Sequence, residues 1–287
     1  MNEIISNPSS FFIINKHPKK YLINSYSCDK NYFHNNVEMN KNLYLYTQKN
    51  FLNSIPPYIS YSNNYHYDVF NHGKANQPSK VFLWIDFIDD VESFVLEDSM
   101  KIYEKPIDVP FSNVPVENKI DIIKAFELQI IRMLETVFNS TANINRNNNN
   151  RASNLKFKKM ESYTGCNLID WKIIDNSDAD ERGVIAVLAL RSKRVLSMND
   201  KNSIMNSYYA KTNDFYENVN EVYDFMMKLN ASYGILSTYE YTWFIKKITD
   251  ENSGKSNIFI SNTLKYDSTN PTILHSFFYF LNLAKQN

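Results

Sequence analysis

The chain has 287 residues, of which 43% are hydrophobic, and its 31 Lys and Arg balance its 31 Asp and Glu. That length buries a real core, and the balance excludes a whole-molecule field that would steer it onto nucleic acid, leaving only local patches for such contacts. Two cysteines, Cys28 and Cys166, with no CxxC spacing exclude a disulfide scaffold and a structural zinc site.

The first 80 residues hold 15 Asn and 9 Tyr. Stretches such as YISYSNNYHYDVF interleave rings with polar residues, as a stacking surface for nucleic acid does. The plainer expectation is an N-terminal arm, residues 1–80, loosely structured and docking a few rings on a main domain at 81–287. No basic-then-apolar leader opens the chain and no run has the roughly 18 apolar residues of a membrane span. The expectation is an intracellular protein of nucleus or cytoplasm with no membrane partner.

VFLWIDFIDDVESFVLE, from Val81, spaces its apolar residues as one or two short helices do. From Asn118 to Phe138, Ile123, Phe126, Ile130, Leu134 and Val137 form one helical stripe, with Asn118 as N-cap and Asp121 in the first turn. TANINRNNNNRASN, residues 141–154, holds seven Asn and reads as an expanded surface loop. Three strand-like segments follow: LKFKKMES, NLIDWKIID and GVIAVLALRSKRVLS. Their succession predicts a meander.

A second helix is expected from about Asp214 to Asn230, with Phe215, Val219, Val222, Phe225, Met226 and Leu229 inward. YGILSTY, YTWFIKKI and NIFISNTL read as strands, the last two joined by the turn ENSGKS. A closing helix begins near Pro271 and turns Ile273, Phe277, Phe280 and Leu281 inward. Helices alternating with strand runs in this way predict an α/β domain, a central mixed sheet flanked by helices.

The order α-β-β-β-α-β, together with YGILSTYEYTWFIKK and STNPTIL ahead of an aromatic helix, resembles the PD-(D/E)XK restriction-endonuclease-like modules of fungal crinkler-type effectors and fungal-type kinase-associated proteins. The resemblance covers about residues 155–285. It implies a metal-dependent nuclease site: an Asp on the second strand, then an acid and a Lys two apart on the third, holding Mg²⁺ or Mn²⁺. The spacing of two is needed because only i and i+2 share a strand face. Asp170 matches the first position. Ala189 stands where the acid should be, and Arg191 where the Lys should be.

Two functional readings follow. In the first the site is degenerate and holds no cofactor, and Arg191, Lys193, Arg194, Lys156, Lys158 and Lys159 form a basic patch for DNA or RNA, or the domain engages another protein. In the second, Glu221 on the neighbouring helix replaces the lost acid, and Asp170, Glu221 and Lys193 act as a catalytic set with Asp170 on the metal. A purely structural scaffold is the third reading. The plain alternatives are a hydrogen-bonded strand-end Asp170, an exposed helical Glu221 and a solvated strand exit at Arg191, Lys193 and Arg194. Trp243 and Phe244 read as core aromatics.

Overall fold

The computed structural model describes residues 46–62, 75–96, 101–102, 115–146, 155–160, 169–175, 183–193, 196, 204–211 and 214–286. Arg194, both cysteines and most of the Asn-rich segment lie outside them. In chain order the elements are β1 (Tyr46–Thr47), α1 (Gln48–Leu52), β2 (Val81–Trp84), α2 (Phe87–Ser93), β3 (Lys101–Ile102) and α3 (Lys119–Phe126). A π-helical segment, Glu127–Ile131, joins α3 to α4 (Arg132–Arg146). Then come β4 (Leu155–Lys159), β5 (Trp171–Asp175), β6 (Val184–Leu190), α5 (Ile204–Tyr209), α6 (Asp214–Lys228), β7 (Tyr233–Ser237), β8 (Tyr241–Thr249), β9 (Ser256–Ser261), β10 (Leu264–Lys265) and α7 (Ile273–Lys285).

The architecture is mixed α/β, with an open eight-stranded sheet in the order β2-β9-β8-β7-β6-β5-β4 and β10 paired to the start of β8. β4, β5 and β6 form the expected antiparallel meander, with Lys158 opposite Lys172 and Trp171 opposite Leu188. β7 returns parallel to β6, Ala189 opposite Leu236, because α6 crosses over between them. β8 and β9 continue antiparallel, and β2 closes the far edge parallel to β9.

The alternation of β6 explains the layering. Ala186, Leu188 and Leu190 face the core shared with α1–α4 and α7, while Val187 and Ala189 face the core under α5 and α6. A strand buried on both faces needs a continuous apolar run, which VIAVLAL supplies. α6 lies close on β7. A Cβ at Gly234 would come within 2.7 Å of both Met226 Sδ and Val222 Cγ1, so glycine there sets the distance of the helix from the sheet.

Several elements differ from expectation. Val81–Trp84 is a strand, because pairing with β9 overrides its short apolar pattern. The compact unit begins at Tyr44, inside the segment read as an arm, and Phe51, Leu52 and Ile59 are core residues. The Asn118 helix runs to Arg146, into the segment read as a loop. Its cap is as expected, Asn118 Oδ1 accepting from the Asp121 amide at 3.1 Å. Of the expected stripe, Phe126, Ile130, Leu134 and Val137 are buried. Ile122 and Ala125 are buried while Ile123 is half-buried, and Gln129 is turned into the interior. The last helix follows expectation: Thr272 caps it, and Ile273, Phe277, Phe280 and Leu281 are all buried.

Candidate functional site

β6 ends at Leu190, and the next side chain continues toward α6. Arg191 is 0% exposed, and its guanidinium lies between two carboxylates. Nη2 donates to Glu221 Oε2 at 3.1 Å, Nη1 lies 3.7 Å from Asp170 Oδ2 and donates to the Leu190 carbonyl at 2.8 Å, and Nε donates to Asn218 Oδ1. The Arg191 amide donates to Ser237 O at 2.8 Å, so the backbone still tracks β7 where the side chain turns away.

Asp170 stands one residue before β5 and is 5% exposed. Its Oδ2 accepts from the Leu190 amide at 2.7 Å, and Lys119, the first residue of α3, approaches Oδ1 at 3.0 Å. Glu221 is 2% exposed, on the face of α6 that also carries Asn218 three residues earlier. Two cations thus face two carboxylates, and only Lys119 retains some exposure. Removing one member of such a set strands a buried charge, whereas the intact set is close to balanced.

The sequence-derived residues separate into groups here. Asp170, Arg191 and Glu221 are brought together. Ala189 is enclosed in the apolar layer beneath α6. Lys193 does not join them. The strand ends at Leu190, so strand parity does not carry Lys193 onto Arg191's face, and its Nζ pairs with Glu240 Oε2 at 2.5 Å. Burial opposes its charged form, but the hydrogen bond and charge of Glu240 outweigh that and raise its pKa. Lys156, Lys158 and Lys159 are exposed on the edge strand β4, and the register places Lys156 and Lys158 on the same face as Lys172 of β5. Two plain alternatives are corrected: Glu221 is not an exposed acid and Arg191 is not a solvated strand exit. Trp243 and Phe244 are buried, as expected of core aromatics.

Lys119 and Asn218 were not legible as site residues. Asn218 carried a signal, the i,i+3 spacing to Glu221. Lys119 carried none, since only the tertiary fold brings the start of α3 to Asp170, just ahead of β5.

A second polar cluster surrounds the β7–β8 turn. Tyr239 holds φ 72°, a left-handed conformation costing about 1–2 kcal/mol for a non-glycine residue. Contacts hold it there: its hydroxyl donates to Pro57 O at 2.6 Å and bonds Gln129, and its amide donates to Ser237 Oγ at 3.1 Å. Burial raises the Tyr239 phenol well above its ordinary pKa. Glu240 follows in the turn, 6% exposed, and its Oε1 has no hydrogen-bond partner among the described residues.

No family model, curated protein or solved structure matches this chain.

The residues around Asp170 do not fit a resident divalent metal. A metal shared by Asp170 and Glu221 would need the place the guanidinium fills, and the nearest acid position on β6 is alanine. No group of three or more His, Cys, Asp or Glu side chains among the described residues is arranged to hold one.

Proposed function

We propose that this chain is a restriction-endonuclease-like domain, similar to those of crinkler-type proteins, that binds nucleic acid without cutting it. The order α4, β4-β5-β6, α6, β7 supports the fold assignment, with β7 parallel beside β6. One observation carries the loss of cleavage: the Arg191 guanidinium sits between Asp170 and Glu221 and, with Lys119 on Asp170, balances their charge. Arginine's planar fork suits paired carboxylates better than the point charge of a lysine would. The migrated set Asp170, Glu221 and Lys193 has the opposite difficulty, since Lys193 is engaged by Glu240.

Binding falls to the lysines. Lys156, Lys158 and Lys159 line the exposed edge strand β4, with Lys172 beside Lys158. Lysines on an edge also discourage sheet extension by another chain, but a row of ammonium groups is equally a sequence-blind phosphate contact. Arg191 is no part of that surface, because it is buried.

Two assays test the reading. Plasmid and single-stranded DNA incubated with Mg²⁺ or Mn²⁺ should survive wild type and Asp170→Ala alike; cleavage abolished by Asp170→Ala overturns the proposal. Affinity for a DNA duplex should fall with salt, and the triple change of Lys156, Lys158 and Lys159 to Glu should weaken it at least about tenfold while flattening the salt slope. Indifference to that triple change leaves a scaffold without nucleic-acid binding.

A further inference from the structure

The β7–β8 turn gathers side chains that the reading above leaves unused. Glu240 is held by backbone on both sides: Thr238 N–H donates to Tyr241 O at 2.8 Å, and Tyr266 N–H donates to Glu240 O at 2.9 Å. Tyr266 stacks obliquely on Tyr58, ring centroids 5.8 Å apart. Tyr58 is 51% exposed and is carried by the segment that the Tyr239 hydroxyl anchors at Pro57. Lys193, its side chain 44% exposed, reaches across to Glu240 Oε2.

One carboxylate oxygen of Glu240 is thus salt-bridged while the other, buried, lacks a donor among the described residues. A buried acceptor without a donor carries a penalty that a bound N–H removes. The missing ligand is not a simple cation, because Lys193 already neutralises the carboxylate. What the cluster asks for is a neutral N–H donor attached to a flat face for the tyrosines and an anion for the lysine.

We propose that Tyr58, Tyr266, Glu240 and Lys193 form a subsite for one unpaired nucleotide whose base carries an exocyclic amine. The base stacks on Tyr58. Its amine donates to Glu240, as a cytosine N4 amine does to a carboxylate. Lys193 keeps Glu240 Oε2 and, with its side chain 44% exposed, offers another of its three N–H donors to the flanking phosphate. Thymine is disfavoured, because its one N–H lies between two carbonyl oxygens that repel a carboxylate. The subsite deepens the nucleic-acid reading and rests on it, but uses the opposite side of β6 from the lysine row.

The test is fluorescence anisotropy of labelled oligo-dC and oligo-dT of equal length with the full chain. Wild type should bind oligo-dC at least about fivefold more tightly than oligo-dT. Glu240→Gln, which presents both an acceptor and a donor, should erase that preference. Tyr58→Ala, an exposed position that leaves folding intact, should weaken oligo-dC about fivefold or more. Lys193→Ala should lower the salt slope by about one. Equal affinity for the two oligonucleotides, or no loss with Tyr58→Ala, overturns the subsite. If the oligonucleotides still respond to the triple Glu change on β4, the lysine row stands and only the subsite fails. If wild type binds neither oligonucleotide nor duplex, both readings fail.

Discussion

Two charged clusters stand at the ends of the neighbouring parallel strands β6 and β7, and they are built on opposite principles. Around Arg191 each described charge stands beside an opposite one, all buried but the half-buried Lys119, and α3, β5, β6 and α6 all contribute. Around Glu240 a pair spans from buried carboxylate to partly exposed lysine, with one oxygen unmet among the described residues. The first arrangement fastens elements together and leaves no room for a ligand. The second is held by a strained turn and retains unused bonding capacity. Position at a strand end does not make a charged residue functional; what matters is whether the fold has already satisfied it.

The sharpest way to break this contrast is to empty the closed cluster. Arg191→Met leaves two buried carboxylates with Lys119 as their nearest described cation, and should cost roughly 3–5 kcal/mol, or about 6–20 °C in Tm. Adding Glu221→Gln should recover part of the loss, a non-additivity measurable by thermal unfolding of the double mutant. A wild-type Tm in Arg191→Met would mean that the network is ornamental.

Gly234→Ala comes next, at about 1–3 kcal/mol. The new methyl presses on Val222 and Met226, the turn of α6 next to Glu221. Chemical denaturation should report the loss.

His275 offers a third kind of buried polar group. Its Nε2 also lacks a partner among the described residues, yet it lies in the core beside Phe94. Burial lowers its pKa, with a hydrogen bond to the Phe94 backbone opposing. The unfolded chain therefore takes up a proton at higher pH than the folded one, so this contribution is intact above about pH 6.5 and is lost as pH falls through the folded value. Wild type should lose more stability between pH 7 and 5 than His275→Gln, measured by urea unfolding at each pH.

The smallest effect belongs to the open cluster. Lys193→Ala should change stability by no more than about 1 kcal/mol, since its ammonium is half in water. A larger loss would place Glu240 among the structural charges and erase the contrast.

How much of this was legible follows the same division. The meander, α6, β7 and α7 could be read because their apolar periods match how they are buried. β2 could not, because four residues paired into a sheet edge carry no period of their own. Asp170, Arg191 and Glu221 were singled out only through the resemblance to a nuclease motif, and what they do together was not readable. That Arg191 turns inward and Lys193 pairs with Glu240 instead depends on β6 stopping at Leu190. Glu240 was missed altogether: a charged residue in a hairpin turn looks like solvent decoration, yet the fold buries this one.

The π-helical segment Glu127–Ile131 has a consequence for how the chain tolerates changes in length. Its wider hydrogen-bonded loop accommodates one residue more than an α-turn would. Deleting Gln129 would let α3 and α4 join in ordinary helical phase, leaving Phe126 and Leu134 on the faces they already occupy. The same deletion one turn earlier or later would rotate an entire buried stripe out of the core. What disappears with Gln129 is the side chain meeting the Tyr239 hydroxyl, so a shortened chain would keep its architecture and loosen the turn that carries Glu240.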